Sequence, residues 1–126
     1  MAKREVIDIP GVAHQAPIPN GVKIGNMVFS SAISGRDSKT NELATDADQQ
    51  AKLLFQNLRT FMTHAGGSPD NIGHVTLYIK DERQRDIVNR YWLEMFPNEE
   101  DRPARHAITA ELRGGMLFQL EIIAVL

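Results

Sequence analysis

The sequence predicts an α+β fold in which two helices cover one face of a six-stranded sheet. The chain has 126 residues, a length that fits one domain over residues 1–126. Strand-like and helix-like segments follow in the order β-β-β-α-β-α-β-β, and two amphipathic helices suffice to cover one face of such a sheet. The last segment, residues 117–126, alternates apolar residues onto both faces. We therefore expect the second face to be buried by self-association.

The strand predictions rest on alternation and on turn residues. Residues 5–9 alternate weakly and stop at Pro10, which predicts a short first strand. A hairpin is predicted for residues 22–24 and 27–33, because the Gly25-Asn26 link is a favoured two-residue turn. Later strands are predicted at residues 75–79, in the segment 102–109 and at residues 117–126.

Two helices are predicted from apolar residues at helical spacing. Residues 47–65 carry a broad apolar face, Thr45 or Asp46 can cap the start, and Gly66 can end the helix. A second helix is predicted from about residue 82 to residue 96, where a proline follows.

Composition excludes several function classes. The net charge is −2 and no run of lysine or arginine exceeds two residues, so nucleic acid and anionic membranes are not expected partners. The chain has no cysteine, which excludes disulfides, a thiol nucleophile and thiolate zinc sites. Four histidines without close pairing give no metal site. No apolar stretch approaches a membrane helix, and the first ten residues lack the apolar core of a signal peptide, so we expect a cytoplasmic protein.

Arg105 and Glu121 are the residues that most suggest chemistry. Glu121 interrupts the apolar last strand, where a carboxylate is costly unless it has partners or a task. Arg105 opens the preceding strand, and its guanidinium can form paired hydrogen bonds to a substrate carboxylate. Together they suggest a site that holds a small acid and activates water. The alternatives are a salt bridge for Arg105 and a structural role for Glu121, for example as partner of Arg105 in another subunit.

Seven segments of the chain together form a recognisable pattern: residues 22–31, 56–58, 65–72, 75–81, 88–89, 102–105 and 119–124. In this order they resemble the Rid family, also called YjgF, which comprises imine and enamine deaminases formerly labelled endoribonuclease L-PSP or translation inhibitors. The resemblance spans roughly residues 17–125. It implies a chorismate-mutase-like fold that forms a homotrimer with sites between subunits, a small carboxylate substrate and no cofactor or metal.

The resemblance also assigns roles to individual positions. The family's carboxylate-binding arginine matches Arg105, and the backbone amide two residues later is that of Ala107. Its water-activating glutamate matches Glu121, and the asparagine of its second helix matches Asn89. The implied reaction is hydrolytic deamination that releases ammonia and a 2-oxo acid.

Three departures from the family pattern affect the expected substrate. Ile18 replaces the tyrosine that closes the usual pocket, and Ala32-Ile33 replaces Gly-Gln. His106 follows Arg105, and alternation sends it to the opposite face, so a core or helix-facing histidine is the alternative to a substrate contact. His14 lies in the loop that matches the pocket wall and is a further candidate contact.

Three functions remain open from the sequence. The first is deamination of small 2-imino acids, and the second is catabolic deamination of a larger unsaturated amino acid of the 2-aminomuconate type. The missing tyrosine at Ile18 keeps the second open. The third is a ligand-binding or RNA-cleaving family member without deaminase activity, which the negative net charge disfavours for RNA.

Overall fold

The computed structural model describes residues 3–126 as one mixed sheet that carries two helices. Short 3₁₀ turns at Pro69–Asn71 and Glu82–Gln84 lead into the fifth strand and the second helix. The strands are β1 (Glu5–Ile7), β2 (Gly21–Ile24), β3 (Met27–Ser30), β4 (Ile33–Ser34), β5 (Ile72–Ile79), β6 (Ala104–Thr109) and β7 (Phe118–Val125), and the helices are α1 (Ala47–Ala65) and α2 (Arg85–Met95).

The last strand of the chain is central in the sheet. The spatial order is β1-β2-β3-β7-β5-β6, and β4 pairs with β7 beyond the end of β3. All neighbours are antiparallel except β5 and β6, which are parallel and are connected through α2. The predicted order of six strands and two helices is confirmed, and the short β4 is a seventh strand that the sequence did not predict. The topology leaves β6 as an open edge.

Helix α1 has the predicted bounds and defined ends. The side chain of Asp46, one of the two predicted capping residues, accepts a hydrogen bond from the Gln49 N–H at 2.9 Å. At the other end Gly66 adopts φ +92°, the left-handed conformation that glycine accepts without strain. Within residues 3–126 no helix combines the length and apolar character that a membrane span requires.

The predicted strand over residues 27–33 is interrupted in the middle. Ser31 donates its N–H to the Asn20 carbonyl at 2.8 Å, which continues the register of β2 and β3, whereas the paired residues of β3 and β7 end at Phe29. The Ser30 hydroxyl accepts the N–H of Ile122 at 2.8 Å and takes the place of a backbone acceptor. The interruption separates β3 from β4, and it opens the sheet beside Glu121 of β7.

The two faces of the sheet are buried to different extents. On the helix-bearing face the side chains of Val28, Val75 and Leu120 are completely buried. On the helix-free face a row of paired residues crosses five strands, and Val6 and Ile123 within it are 64% and 40% exposed. The row consists of Val6, Val22, Phe29, Ile123 and His74. The predicted two-sided apolar character of the last strand is confirmed.

Candidate functional site

Arg105 lies on β6 and its side chain points to the helix-bearing face. It pairs with Val75, which is fully buried beneath the helices. Its Nη2 donates to the Oδ1 of Asn89 on α2 at 2.8 Å, and its guanidinium carbon lies 4.8 Å from the centre of the Trp92 ring. Asn89 and Trp92 together orient the guanidinium through a hydrogen bond and a cation–π contact.

The guanidinium of Arg105 is incompletely satisfied. Its Nη1 is buried and has no hydrogen-bond acceptor. Burial, together with the positive charge of Arg85, lowers the pKa of Arg105 from its usual value. No carboxylate oxygen lies within 4.0 Å of it among the described residues, so the salt-bridge alternative is not realised in this part of one protomer. A buried unpaired donor is costly, and an anionic ligand would offset that cost.

The amide of Ala107 lies at the open edge of β6. Three residues further, Ala110 donates its N–H to the Ile79 carbonyl on β5 at 3.1 Å. Because successive peptide groups along a strand point in opposite directions, the N–H of Ala107 points away from β5. The Ala107 amide is therefore not used within the sheet, as its predicted contact with a substrate carboxylate requires.

Glu121 lies on β7 and points to the helix-free face, beside Thr76 of β5. The hydroxyl of Tyr78 donates to its Oε1 at 3.3 Å. The half-buried carboxylate borders a hollow of about 220 Å³ that is also lined by Ser30, His74 and Thr76. The hollow is located where the interruption between β3 and β4 opens the sheet. A carboxylate with a hydroxyl donor and room for a small molecule can hold and deprotonate water.

The phenol of Tyr78 is electrostatically coupled to Glu121. The negative charge of Glu121 raises the pKa of Tyr78, with desolvation and their hydrogen bond as further causes. The phenol therefore stays protonated and remains a donor to the carboxylate at neutral pH. It fixes the orientation of the group that is predicted to activate water.

Arg105 and Glu121 do not come together within one protomer. The row Glu121, Thr76 and His106 crosses adjacent strands, so the Cα atoms at its two ends are roughly 10 Å apart. Arg105 precedes His106 and points to the other face of the sheet. In an imino acid the carboxylate carbon and the imine carbon are separated by only about 1.5 Å. One protomer cannot place both groups on such a molecule.

His106 shares the face of Glu121. It pairs with Thr76 and is exposed, whereas the helices cover the face of Arg105. The predicted opposition of His106 and Arg105 is confirmed, because alternation within a strand fixes it. The alternative of a core or helix-facing histidine is wrong. Helix α2 packs on the face of Arg105, so His106 lies exposed on the face without helices.

Ile18 and His14 do not line the hollow of Glu121 in the protomer. Ile18 is 48% exposed and borders a hollow of about 480 Å³ together with His14. His14 also lines a second cavity of about 400 Å³. Neither Arg105 nor Glu121 lines these spaces. In the part of the chain that the structure describes, no cluster of three or more histidines and acidic residues could hold a metal ion.

Comparison with known proteins decides the family. A family model described as Endoribonuclease L-PSP matches residues 12–126. The chain belongs to that family. The L-PSP family is the one that the sequence resembles under the name Rid.

Relatives within the L-PSP family carry deaminase names. The 2-iminobutanoate/2-iminopropanoate deaminase of Salmonella typhimurium is 30% identical over 111 residues, which cover 86% of this chain and 87% of that protein. The crystal structure of RidA from Psychrobacter sp. superposes with a TM-score of 0.90 at 26% identity and covers 98% of this chain and 100% of RidA. The structure of Escherichia coli TdcF with bound serine gives a TM-score of 0.87 at 26% identity and covers 97% of this chain and 98% of TdcF.

Sequence reasoning missed two residues beside Glu121 in the candidate site. Tyr78 donates to Glu121, and His74 lies inside β5 and lines the same hollow. The predicted strand at residues 75–79 began too late because Gly73 weakens the alternation before it. Extending the strand back to His74 would have placed His74, Thr76 and Tyr78 on one face.

Proposed function

We propose that the protein is a hydrolytic deaminase of imines or enamines that carry a carboxylate, releasing ammonia and a 2-oxo acid. The observation that supports this most strongly is the guanidinium of Arg105. It is oriented by Asn89 and has an unsatisfied donor without a carboxylate partner, and it lies two residues before the outward amide of Ala107. The deaminase names of relatives and the serine bound to TdcF agree with a small carboxylate ligand.

The proposed reaction needs binding of the carboxylate and activation of water. Arg105 and the Ala107 amide hold the carboxylate, which fixes the neighbouring C=N carbon. Glu121 takes a proton from water as the water oxygen attacks that carbon, and the C=N π electrons move to nitrogen. Glu121 returns this proton to the nitrogen, which gives an amino alcohol. Glu121 then takes the proton of the new hydroxyl and passes it to the nitrogen as the C–N bond breaks, so ammonia leaves as the carbonyl forms. An enamine enters the same sequence after it takes up a proton at carbon and loses one from nitrogen.

We further propose a homotrimer with sites between subunits. Because Arg105 and Glu121 point to opposite faces of the sheet, both can act on one small substrate only if they come from different protomers. The exposed apolar row that contains Ile123 and Val6 supports burial of the helix-free face against other copies. His106, on the face of Glu121, then lies within the assembly.

A larger unsaturated amino acid is the second candidate substrate. The observation in its favour is Ile18, an exposed apolar residue where the family often has a tyrosine. An isoleucine cannot donate a hydrogen bond to a short substrate, and a polar substrate group placed against it would remain unpaired.

Single substitutions test the chemistry. Arg105→Ala should remove about 2–5 kcal/mol of transition-state stabilisation on carboxylated imines, and Arg105→Lys should restore little because lysine cannot form the paired contact. Glu121→Gln should lower kcat by about 10²- to 10⁴-fold. Initial rates of ammonia release measure both. Arg59→Ala, an exposed change on α1, serves as the matched control and should turn over normally.

Mixed assemblies test the shared site. Arg105→Ala and Glu121→Gln subunits, each inactive alone, should regain activity when they are unfolded and refolded together. Some interfaces of the mixed trimers then combine the native arginine of one protomer with the native glutamate of the other. Wild-type turnover by Arg105→Ala would contradict the assigned role, and failure of mixing to restore activity would contradict the interface site.

A further inference from the structure

A cationic cavity borders β7 two residues before Glu121, at Gln119. Its volume is about 400 Å³, and its lining includes Arg36, Arg113, His14 and Gln119. No aspartate or glutamate is among the lining residues, although the whole chain has a net charge of −2. Two guanidinium groups around one cavity without a carboxylate favour a negatively charged occupant.

The two arginines are carried by segments that are anchored to α1. The buried Asn57 donates through Nδ2 to the carbonyls of Ser34 and Arg36 at 3.0 and 2.9 Å. The buried Gln50 donates through Nε2 to the Gly115 carbonyl at 3.1 Å, close to Arg113. These buried side-chain amides hold the two segments in place through hydrogen bonds to backbone carbonyls. The segments that carry Arg36 and Arg113 are therefore fixed to α1, although the side chain of Arg113 is exposed.

The charges in the cavity are not neutralised from within the chain. Arg36 donates through Nη1 to the carbonyl of Asn41 at 2.9 Å, which leaves its charge in place. Among residues 3–126 neither Arg36 nor Arg113 has a carboxylate oxygen within 4.0 Å. A carboxylate that entered the cavity would be a partner that the protein itself does not supply.

The cavity and the hollow of Glu121 border neighbouring positions of β7 without sharing a lining residue. Gln119 and Glu121 alternate onto the same face and are therefore about 6.6 Å apart along the strand. Ala32 lines the cavity and Ser30 lines the hollow, so both spaces border the interruption between β3 and β4. A substrate with its reacting carbon beside Glu121 would extend toward Arg36 and Arg113.

We propose that this cavity binds a second carboxylate, so that the substrate is a dicarboxylic imine or enamine. This inference rests on the proposed deaminase function for its kinetic part. Arg36 and Arg113 would act as specificity-determining residues that bind the distal carboxylate, and His14 would line the same space.

The kinetic test compares two imines of equal chain length, one dicarboxylic and one monocarboxylic. The imines of 2-oxoglutarate and 2-oxopentanoate, generated in the assay by an amino-acid oxidase, form such a pair. The wild type should prefer the dicarboxylic imine by about tenfold or more in kcat/KM. In the Arg36→Gln/Arg113→Gln double variant the ratio should fall to about one, mainly through KM. Arg59→Gln is the matched control and should keep the wild-type ratio.

A binding test separates this inference from the proposed function. Calorimetric titration with glutarate and with pentanoate requires no turnover. The wild type should bind glutarate more tightly than pentanoate. The double variant should bind glutarate about tenfold more weakly than the wild type, whereas Arg59→Gln should keep the wild-type affinity. Equal binding of the two acids, or a preference that survives in the double variant, would overturn the inference. If neither imine reacts but glutarate binding depends on Arg36 and Arg113, the cavity stands and the deaminase proposal fails.

Discussion

The two faces of the sheet are made by the same strands but differ in what they hold. On β7, Phe118 and Leu120 are completely buried under the helices, whereas Glu121 and Ile123 alternate onto the other face. The helix-bearing face is a closed hydrophobic core. The helix-free face combines exposed apolar residues with a carboxylate, a phenol and a histidine. One strand therefore serves stability with one set of side chains and binding with the other.

The largest expected effect comes from a charge on the helix-free face. Ile123→Lys would place an ammonium in the middle of the apolar row, and desolvating such an ion costs several kcal/mol for each copy. We expect a folded protomer that sediments at about one third of the wild-type mass. Leu93→Lys, on an exposed position of α2, is the control and should leave the mass unchanged. A wild type that itself sediments as a monomer would show that this face does not associate.

The next effect concerns the helix-bearing face. Phe118 is fully buried, and Phe118→Ala should lower the free energy of unfolding by about 3–5 kcal/mol because it leaves a cavity in the core. Urea unfolding at one fixed protein concentration measures the loss, since assembly adds to apparent stability. Leu93→Ala, which removes an exposed leucine, should change it by about 0.5 kcal/mol or less. Similar losses for the two variants would contradict the assignment of the core to this face.

The smallest effect concerns Tyr78 on the helix-free face. Because the charge of Glu121 raises the pKa of Tyr78, the folded protein keeps this phenol protonated at a pH where the unfolded chain releases the proton. The resulting stability is present below a pH of about 10 and is lost as pH rises from there toward the folded pKa. Unfolding curves between pH 8 and 11 should therefore fall more steeply for the wild type than for Tyr78→Phe.

The activity of Tyr78→Phe gives a second measurement at neutral pH. Without the phenol donor, Glu121 loses one fixed orientation but keeps its carboxylate, so we expect a loss of only about threefold to tenfold in kcat. Tyr91, whose pKa is also raised, is present in both proteins. The difference in pH dependence between the wild type and Tyr78→Phe is therefore due to Tyr78. Identical pH profiles for the two proteins would mean that the phenol and the carboxylate do not interact in solution.

The sequence was sufficient to predict the local elements and to predict which side chains of a strand share a face. The bounds of α1, the Gly25-Asn26 hairpin and the alternation of β7 follow from short-range patterns. The pairing of β5 with both β6 and β7 depends on contacts between distant segments, so no local pattern reveals that Thr76 lies between Glu121 and His106.

The same limit explains what the sequence missed in the candidate site. Arg105 and Glu121 are both identifiable as unusual residues in strands, but their separation onto opposite faces follows from register and from the position of α2. At the interruption after Ser30, the Ser30 hydroxyl accepts the N–H of Ile122, which lies 92 residues further along the chain. Family resemblance supplied roles for single positions, and geometry supplied the requirement for a second protomer.

The open edge of β6 has a consequence for solubility. A strand with unpaired N–H groups is a template on which another molecule's strand can add, and proteins commonly protect such edges with charge and proline. Here β6 follows the exposed Arg102 and the half-buried Pro103, and it carries Arg105. Covering this edge with another strand would remove the outward amide of Ala107. Cationic side chains instead repel a second copy of the strand, so the edge resists aggregation while it stays accessible to a small anion.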